Sequence, residues 1–159
     1  NENLSFEVKD MRTPFTEDEF DLVANLFTSF GYFDDINDNL EVLNSIETMM
    51  NEDGHYVIDF MNVEKVLRTL VKEEEKEIDG ILFKISREHI DGYIVKNIEV
   101  IDNGESFHFQ EKVQALTIDN FKELISKTDL IVDGFYGSYD LNVFDADTSD
   151  RLIIVGTKW

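Results

Sequence analysis

The chain has 159 residues, with 35 Asp and Glu against 14 Lys and Arg, giving a formal net charge of −21. That length fits one domain, and 42% hydrophobic content with 13 Phe and 5 Tyr excludes a disordered acidic tail. Residues 13–64 contain no Lys or Arg, and such a surface repels phosphate backbones and anionic membranes, so neither nucleic acid nor membrane is expected as a partner.

The chain has no Cys, which removes disulfides, thiolate nucleophiles and Cys-zinc sites from consideration and fits a cytoplasmic location. No apolar run approaches the roughly 20 residues needed to cross a bilayer. The N-terminus lacks the basic-then-apolar pattern of a secretory signal. The chain starts at Asn1 rather than Met, which fits a trimmed chain.

In chain order, Leu4–Met11 alternates, with Phe6 and Val8 on one face, and predicts a strand. Arg12–Glu19 holds the only Pro and an acidic cluster and predicts a loop. Phe20–Phe27 is a nearly continuous apolar run, the pattern of a buried parallel strand. Thr28–Asp35 predicts an aromatic-rich loop. Over Asn37–Met50, Leu40, Leu43, Ile46, Met49 and Met50 recur at helical spacing, and His55–Met61 predicts another buried strand.

Asn62 is placed to cap a short helix carrying Val63, Val66, Leu67, Leu70 and Val71 on one stripe. After the acidic stretch Glu73–Glu77 the period changes to two. Segments Glu77–Glu88, Tyr93–Ile101 and Ser106–Leu116 alternate, separated by the hairpin dipeptides Asp91-Gly92 and Asn103-Gly104, which predicts a three-stranded antiparallel meander. Thr117 caps a helix with Ile118, Phe121, Leu124 and Ile125 on one side. Strands over Leu130–Tyr136 and Arg151–Lys158 close the chain. Strand and helix alternate at both ends, with an antiparallel insert spanning residues 73–116, so the fold class is α/β in a single domain over residues 1–159.

No glycine-rich phosphate loop of either common type is present. His55, His89 and His108 are scattered without metal-ligand spacing, and no metal site is assigned. Asp145, Asp147 and Asp150 open like a calcium loop. The sixth and twelfth positions, Asp150 and Gly156, do not fit, so solvated loop acids are expected.

Two places carry more information. Asp10-Met11-Arg12 lies at the predicted carboxyl end of the first strand, where ligands of open parallel sheets bind. A carboxylate there can accept from the exocyclic amine of an adenine, and the next backbone N–H can donate to a ring nitrogen; the alternative is that Asp10 only caps a turn. The second place is Asn25–Phe33, where a strand runs into a loop with four aromatics around Gly31. Those rings either form core or line a pocket whose faces suit a sulfonium or ammonium cation.

Asp-Met-Arg, Pro-Phe, FDLVANLFTSFGYF, a helix, GHYVIDFMN and the closing SDRLIIVGTKW, in that order, resemble the C-terminal half of a class I S-adenosylmethionine-dependent methyltransferase. The nearest group is the bacterial small-molecule type with a β-meander. The resemblance implies a Rossmann-like three-layer sandwich, of which this chain supplies strands three to seven of a seven-stranded, mostly parallel sheet with its last strand antiparallel. The domain would then be incomplete, because the family's glycine-rich loop and ribose-binding acid have no counterpart here.

The resemblance implies S-adenosylmethionine as cofactor, with Asp10 and Met11 at the adenine and Asn25, Leu26 and Phe27 beside the methionine part. It implies Phe30, Tyr32, Phe33, Asp59, Asn62 and Tyr139 around a small-molecule methyl acceptor. No catalytic residue is assigned; Tyr32, Asp59 and Tyr139 are the candidates where a general base is needed. The other reading is a non-catalytic binding or assembly module, or an inactive fragment, that pairs with another chain. An open sheet edge would invite self-association.

Overall fold

The computed structural model describes residues 4–15 and 19–159. Among the described residues there are two four-stranded sheets and three helices. The main sheet is built from β1 (Phe20–Asn25), β2 (Met50–Met61), β7 (Leu130–Tyr136) and β8 (Arg151–Lys158), in the order β1-β2-β8-β7. β1 and β2 are parallel, and β8 is antiparallel to both its neighbours, β2 and β7.

Helix α1 (Ile36–Met49) starts at Asp35, whose carboxylate accepts from the Asn37 N–H. Helix α2 (Val63–Arg68) is capped by Asn62, and α3 (Ile118–Ile125) by a reciprocal box between Thr117 and Asn120. Leu43 and Ile46 of α1 and Phe121 and Leu124 of α3 bury into one cluster with Tyr56, Ile58 and Phe60 of β2. At its centre the Phe121 ring lies 5.3 Å from Phe30 and 5.2 Å from Phe60, in tilted and edge-on contacts.

The second sheet comprises β3 (Glu73–Ile78), β4 (Ile81–Ile90), β5 (Tyr93–Asp102) and β6 (Glu105–Gln114), each antiparallel to the next. It has four strands where the sequence pattern predicted three. The extra strand is the acidic stretch, and the predicted strand Glu77–Glu88 is interrupted by a turn at Asp79-Gly80. Asp79, Asp91 and Asn103 all take positive φ, as do Gly80, Gly92 and Gly104 after them, the backbone of tight hairpins that match strand twist.

Two expectations on the main sheet fail. Residues 4–10 form no strand: Phe6 and Val8 are almost fully exposed, and no neighbouring strand among the described residues pairs with them. Alternation alone does not make a strand without a partner for its backbone groups. β1 is parallel as expected but not buried, since Leu22 is 56% exposed. It lies at the edge of the sheet, and only β2 pairs with it among the described residues.

Candidate functional site

The carboxyl ends of β1 and β2 meet at Asp59. Residues 27 and 28, just past β1, both hold left-handed backbone (φ 59° and 58°) although they are Phe and Thr. For a β-branched Thr this is a strained conformation, of the kind that collects at functional sites. Asp59 holds the strain in place. Its Oδ2 accepts from the Phe27 N–H at 3.0 Å, and its backbone carbonyl accepts from the Thr28 N–H at 3.0 Å.

Asp59 is 1% exposed, and each of its three oxygens accepts a hydrogen bond. Arg151, at the start of β8, donates from Nε to Oδ1 at 2.7 Å and from Nη2 to the Thr28 hydroxyl at 3.0 Å. Tyr139, in the β7–β8 connection, donates its hydroxyl to Oδ2 at 3.0 Å. The Asp59 hydrogen bond is the main cause that raises the Tyr139 phenol pKa above its ordinary value, with desolvation helping and the Arg151 charge opposing. An anion this deep needs a paired, hydrogen-bonded environment, and the Phe27 N–H, the Tyr139 hydroxyl and the Arg151 guanidinium provide it.

Asp59 and Tyr139, both singled out in the sequence, are thus brought together with Phe27. Arg151 and Thr28 were not anticipated. The signal was present in strand register: Asp59 pairs with Ile153 and Met61 with Arg151, so Asp59 and Arg151 are diagonal neighbours on one face. With its oxygens occupied, Asp59 holds the loop and is not a free base, and the Tyr139 proton is likewise committed.

Met11 and Asn25 also meet, the Asn25 amide lying 3.9 Å from the Met11 sulfur. The Asn25 carbonyl oxygen accepts from the Ser29 hydroxyl, which also donates to the Leu26 carbonyl. Leu26 is partly exposed, and Phe27 is 82% exposed. Asp10 has the turn-capping role: its Oδ1 accepts from the Arg12 N–H at 3.0 Å and its Oδ2 from Arg12 Nη2 at 2.7 Å. These Arg12 bonds depress its carboxyl pKa to about 2. Arg12 also pairs with Asp38 of α1 at 3.0 Å and lies over the Phe33 ring, which pins the turn to the helix.

Three expected pocket residues are used otherwise. Phe30 is completely buried and belongs to the aromatic core. Phe33 packs against the core under Arg12. Asn62 is completely buried; its amide donates to the Ala146 and Ser149 carbonyls while its oxygen caps α2. The sequence identified aromatic and amide residues near the strand ends, but side-chain direction decided which of them face outward. Tyr32 is half exposed.

The three loop acids have local partners. Asp145 accepts from the Asp147 and Thr148 N–H groups, Asp147 pairs with Arg68, and Asp150 pairs with Lys65. Among the described residues no three His, Cys, Asp or Glu side chains gather in a metal-holding group. No helix among them is long and apolar enough to cross a membrane.

No family model and no curated protein matches the sequence. Solved structures do match. One is an S-adenosylmethionine-dependent methyltransferase from Clostridium acetobutylicum, at a TM-score of 0.85 and 14% identity over 96% of this chain and 63% of that one. The chain has a class I methyltransferase-like fold. The CcbJ methyltransferase of Streptomyces caelestis aligns at a TM-score of 0.80 and 11% identity, over 95% of this chain and 62% of that one. The amino pentose methyltransferase CalS10 of Micromonospora echinaspora, solved with S-adenosylmethionine bound, aligns at 0.67 and 13% identity, over 95% and 63%. The chain therefore spans just under two thirds of the length of these methyltransferases.

Proposed function

We propose that this chain is the C-terminal part of a cytoplasmic enzyme that transfers a methyl group from S-adenosylmethionine to a small molecule. The observation that carries the reading is the strained Phe27-Thr28 turn, locked by Asp59 and Arg151 at the carboxyl ends of two parallel strands, within a methyltransferase-like fold. In this reading the four main-sheet strands belong to a seven-stranded, mostly parallel sheet, and β3–β6 form its appended meander. The absence of Cys supports the cytoplasmic placement.

The described residues fit one flank of such a cofactor. Met11, Asn25 and Leu26 form a partly exposed ledge at the end of β1, and the Phe27 ring stands free beside it, an apolar and polarisable wall for a sulfonium. Asp10 contributes by fixing the turn that presents Met11, and it reaches an adenine amine only by sharing its Arg12 bonds. When bound, the cofactor supplies the electrophilic methyl. The protein orients and encloses: Asp59 and Arg151 fix the loop, and the exposed rings of Tyr139 and Tyr32 are assigned to the acceptor. The acidic surface favours a neutral or cationic acceptor and disfavours nucleic acid and anionic membranes.

A second reading is favoured by one observation. β1 leaves its outer edge without a strand among the described residues, with Leu22 and Phe27 exposed beside it. An assembly module that receives a strand from another chain, or from a copy of itself, would look like this.

Calorimetric titration of the purified protein with S-adenosylhomocysteine separates the readings. The enzyme reading expects one-to-one binding that Phe27→Ala weakens. A folded sample that gives no binding heat but associates through the open edge of β1, and loses that association in Ala24→Pro, supports the assembly module.

A further inference from the structure

The connection between β7 and β8 leaves three large side chains in water at alternate positions. Leu141 is 59% exposed and Val143 82%, next to the exposed Tyr139 ring. Grouped exposure of this kind marks a contact surface, where single exposed residues would not. The connection is also firmly built. The Leu141 N–H donates to the Ser138 carbonyl at 3.0 Å and closes a tight turn. The Gly137 N–H donates to the Asn142 carbonyl at 2.7 Å, the Asn142 amide donates to the Ser138 hydroxyl at 3.0 Å, and Val143 bridges Tyr136.

Leu141 takes left-handed backbone, with φ 60°. Gly or Asn adopts that conformation with little strain, and Leu does not. Leu141 therefore lowers stability twice, through its backbone and through an apolar side chain left in water. Strain of this kind collects where it serves a site. The turn stands beside the strand ends: the Tyr139 hydroxyl and the Phe27 N–H each lie 3.0 Å from Asp59 Oδ2, so they are no further apart than twice that.

We propose that Tyr139, Leu141 and Val143 form a ledge that seats the apolar body of the methyl acceptor, an amphipathic small molecule carrying a positive charge. The inference rests on the methyl-transfer reading and narrows its acceptor.

Charge selects the sign. Asp140 is exposed between Tyr139 and Leu141, with its N–H on the Ser138 hydroxyl. Its carboxylate enters no ion pair among the described residues. The Tyr139 ring offers a second group that attracts cations. Arg12 and Arg151, the bases of the site described above, are engaged by Asp10, Asp38 and Asp59. A net charge of −21 adds a field that draws cations and repels anions. An unpaired carboxylate beside a bare apolar ledge complements a molecule with one positive group and one apolar body. It complements neither a sugar phosphate nor a fatty acid.

Amide chemical-shift titration of the isotope-labelled protein with octylammonium tests the inference, with ethylammonium, octanoate and octanol as comparators. Octylammonium is expected to shift the amides of residues 137–143 and of Phe27 saturably, with the millimolar Kd that suits so small a probe. Ethylammonium and octanoate should bind there about tenfold more weakly, one for want of an apolar body and the other for its charge. Leu141→Asn suits the left-handed turn, so its melting temperature should hold or rise while octylammonium affinity falls about fivefold. Val143→Ser serves if that variant fails to fold. Asp140→Asn should weaken octylammonium and leave octanol unchanged. Shifts confined to β3–β6, equal affinity for octanoate, or affinity unmoved by Leu141→Asn and Val143→Ser overturn the inference. Titration of the same sample with S-adenosylhomocysteine keeps the two readings apart. Its binding without octylammonium shifts overturns the inference alone. Shifts at the turn without its binding overturn the methyl-transfer reading, and the acceptor assignment with it.

Discussion

The Tyr139 hydroxyl donates to Asp59 Oδ2 at 3.0 Å, tying an aromatic ring that is 66% exposed to a buried carboxylate. Through that carboxylate the β7–β8 connection, the loop after β1 and the start of β8 are held in one network. The network ties together the loops that frame the strand ends.

Replacing Asp59 by Asn keeps the volume and removes the charge. It leaves Arg151, whose side chain is 23% exposed, without its counter-ion. The expected loss is about 3 kcal/mol, in the range seen when one partner of a buried pair is removed. Urea unfolding measures it. A change under 0.5 kcal/mol would mean that the network is not what holds the strained turn.

Phe27→Ala should separate site from scaffold. The ring touches little, so stability should change by no more than about 0.5 kcal/mol. Affinity for S-adenosylhomocysteine should fall several-fold in the calorimetric titration. Equal affinity in both proteins would remove Phe27 from the cofactor flank.

Alkaline pH should destabilise the fold through tyrosines. The Tyr56 phenol is raised by burial and by the Asp133 charge, and the Tyr139 phenol by its bond to Asp59. Both folded-state values lie above the unfolded value near 10. The folded state therefore holds more protons above that pH. The stability these groups contribute is complete below pH 10 and is lost as pH rises past it. Thermal melts from pH 9 to 11 should show a falling midpoint, and Tyr56→Phe should flatten the fall.

Gly156→Ala should disrupt the main sheet. A Cβ there would run into the Ile131 backbone carbonyl and the Tyr56 ring, where β7, β8 and β2 meet. Neither obstacle is a free side-chain end that can move aside. The expected cost is about 3 kcal/mol or more, at the upper end of overpacking. Melting temperature reads it directly, and an unshifted melt would show that the sheet has room to relax.

Local signals were legible where the chemistry is local. Asn62 and Thr117 cap the helices assigned to them. Asp91-Gly92 and Asn103-Gly104 turn the hairpins. Asp79-Gly80 carries the same signature, but the Glu-rich stretch before it does not look like a strand. Its backbone is nevertheless paired along β4, with Arg87 on Glu74 at 2.9 Å offsetting some of the charge. The apolar run of β1 read as buried because periodicity reports side-chain character and is silent about whether a neighbour exists.

The sequence by itself determined the α/β class, the helix starts, two of the three hairpin turns and the absence of thiol chemistry. Each follows from hydrophobic period, from the dihedral freedom of Gly and Asn, or from plain composition. Tertiary structure alone decided the site. Asp59 and Arg151 stand 92 positions apart and meet only because β2 and β8 pair in one particular register. Which aromatics became core and which faced outward was also settled there, since burial depends on what packs against a side chain and not on the side chain itself.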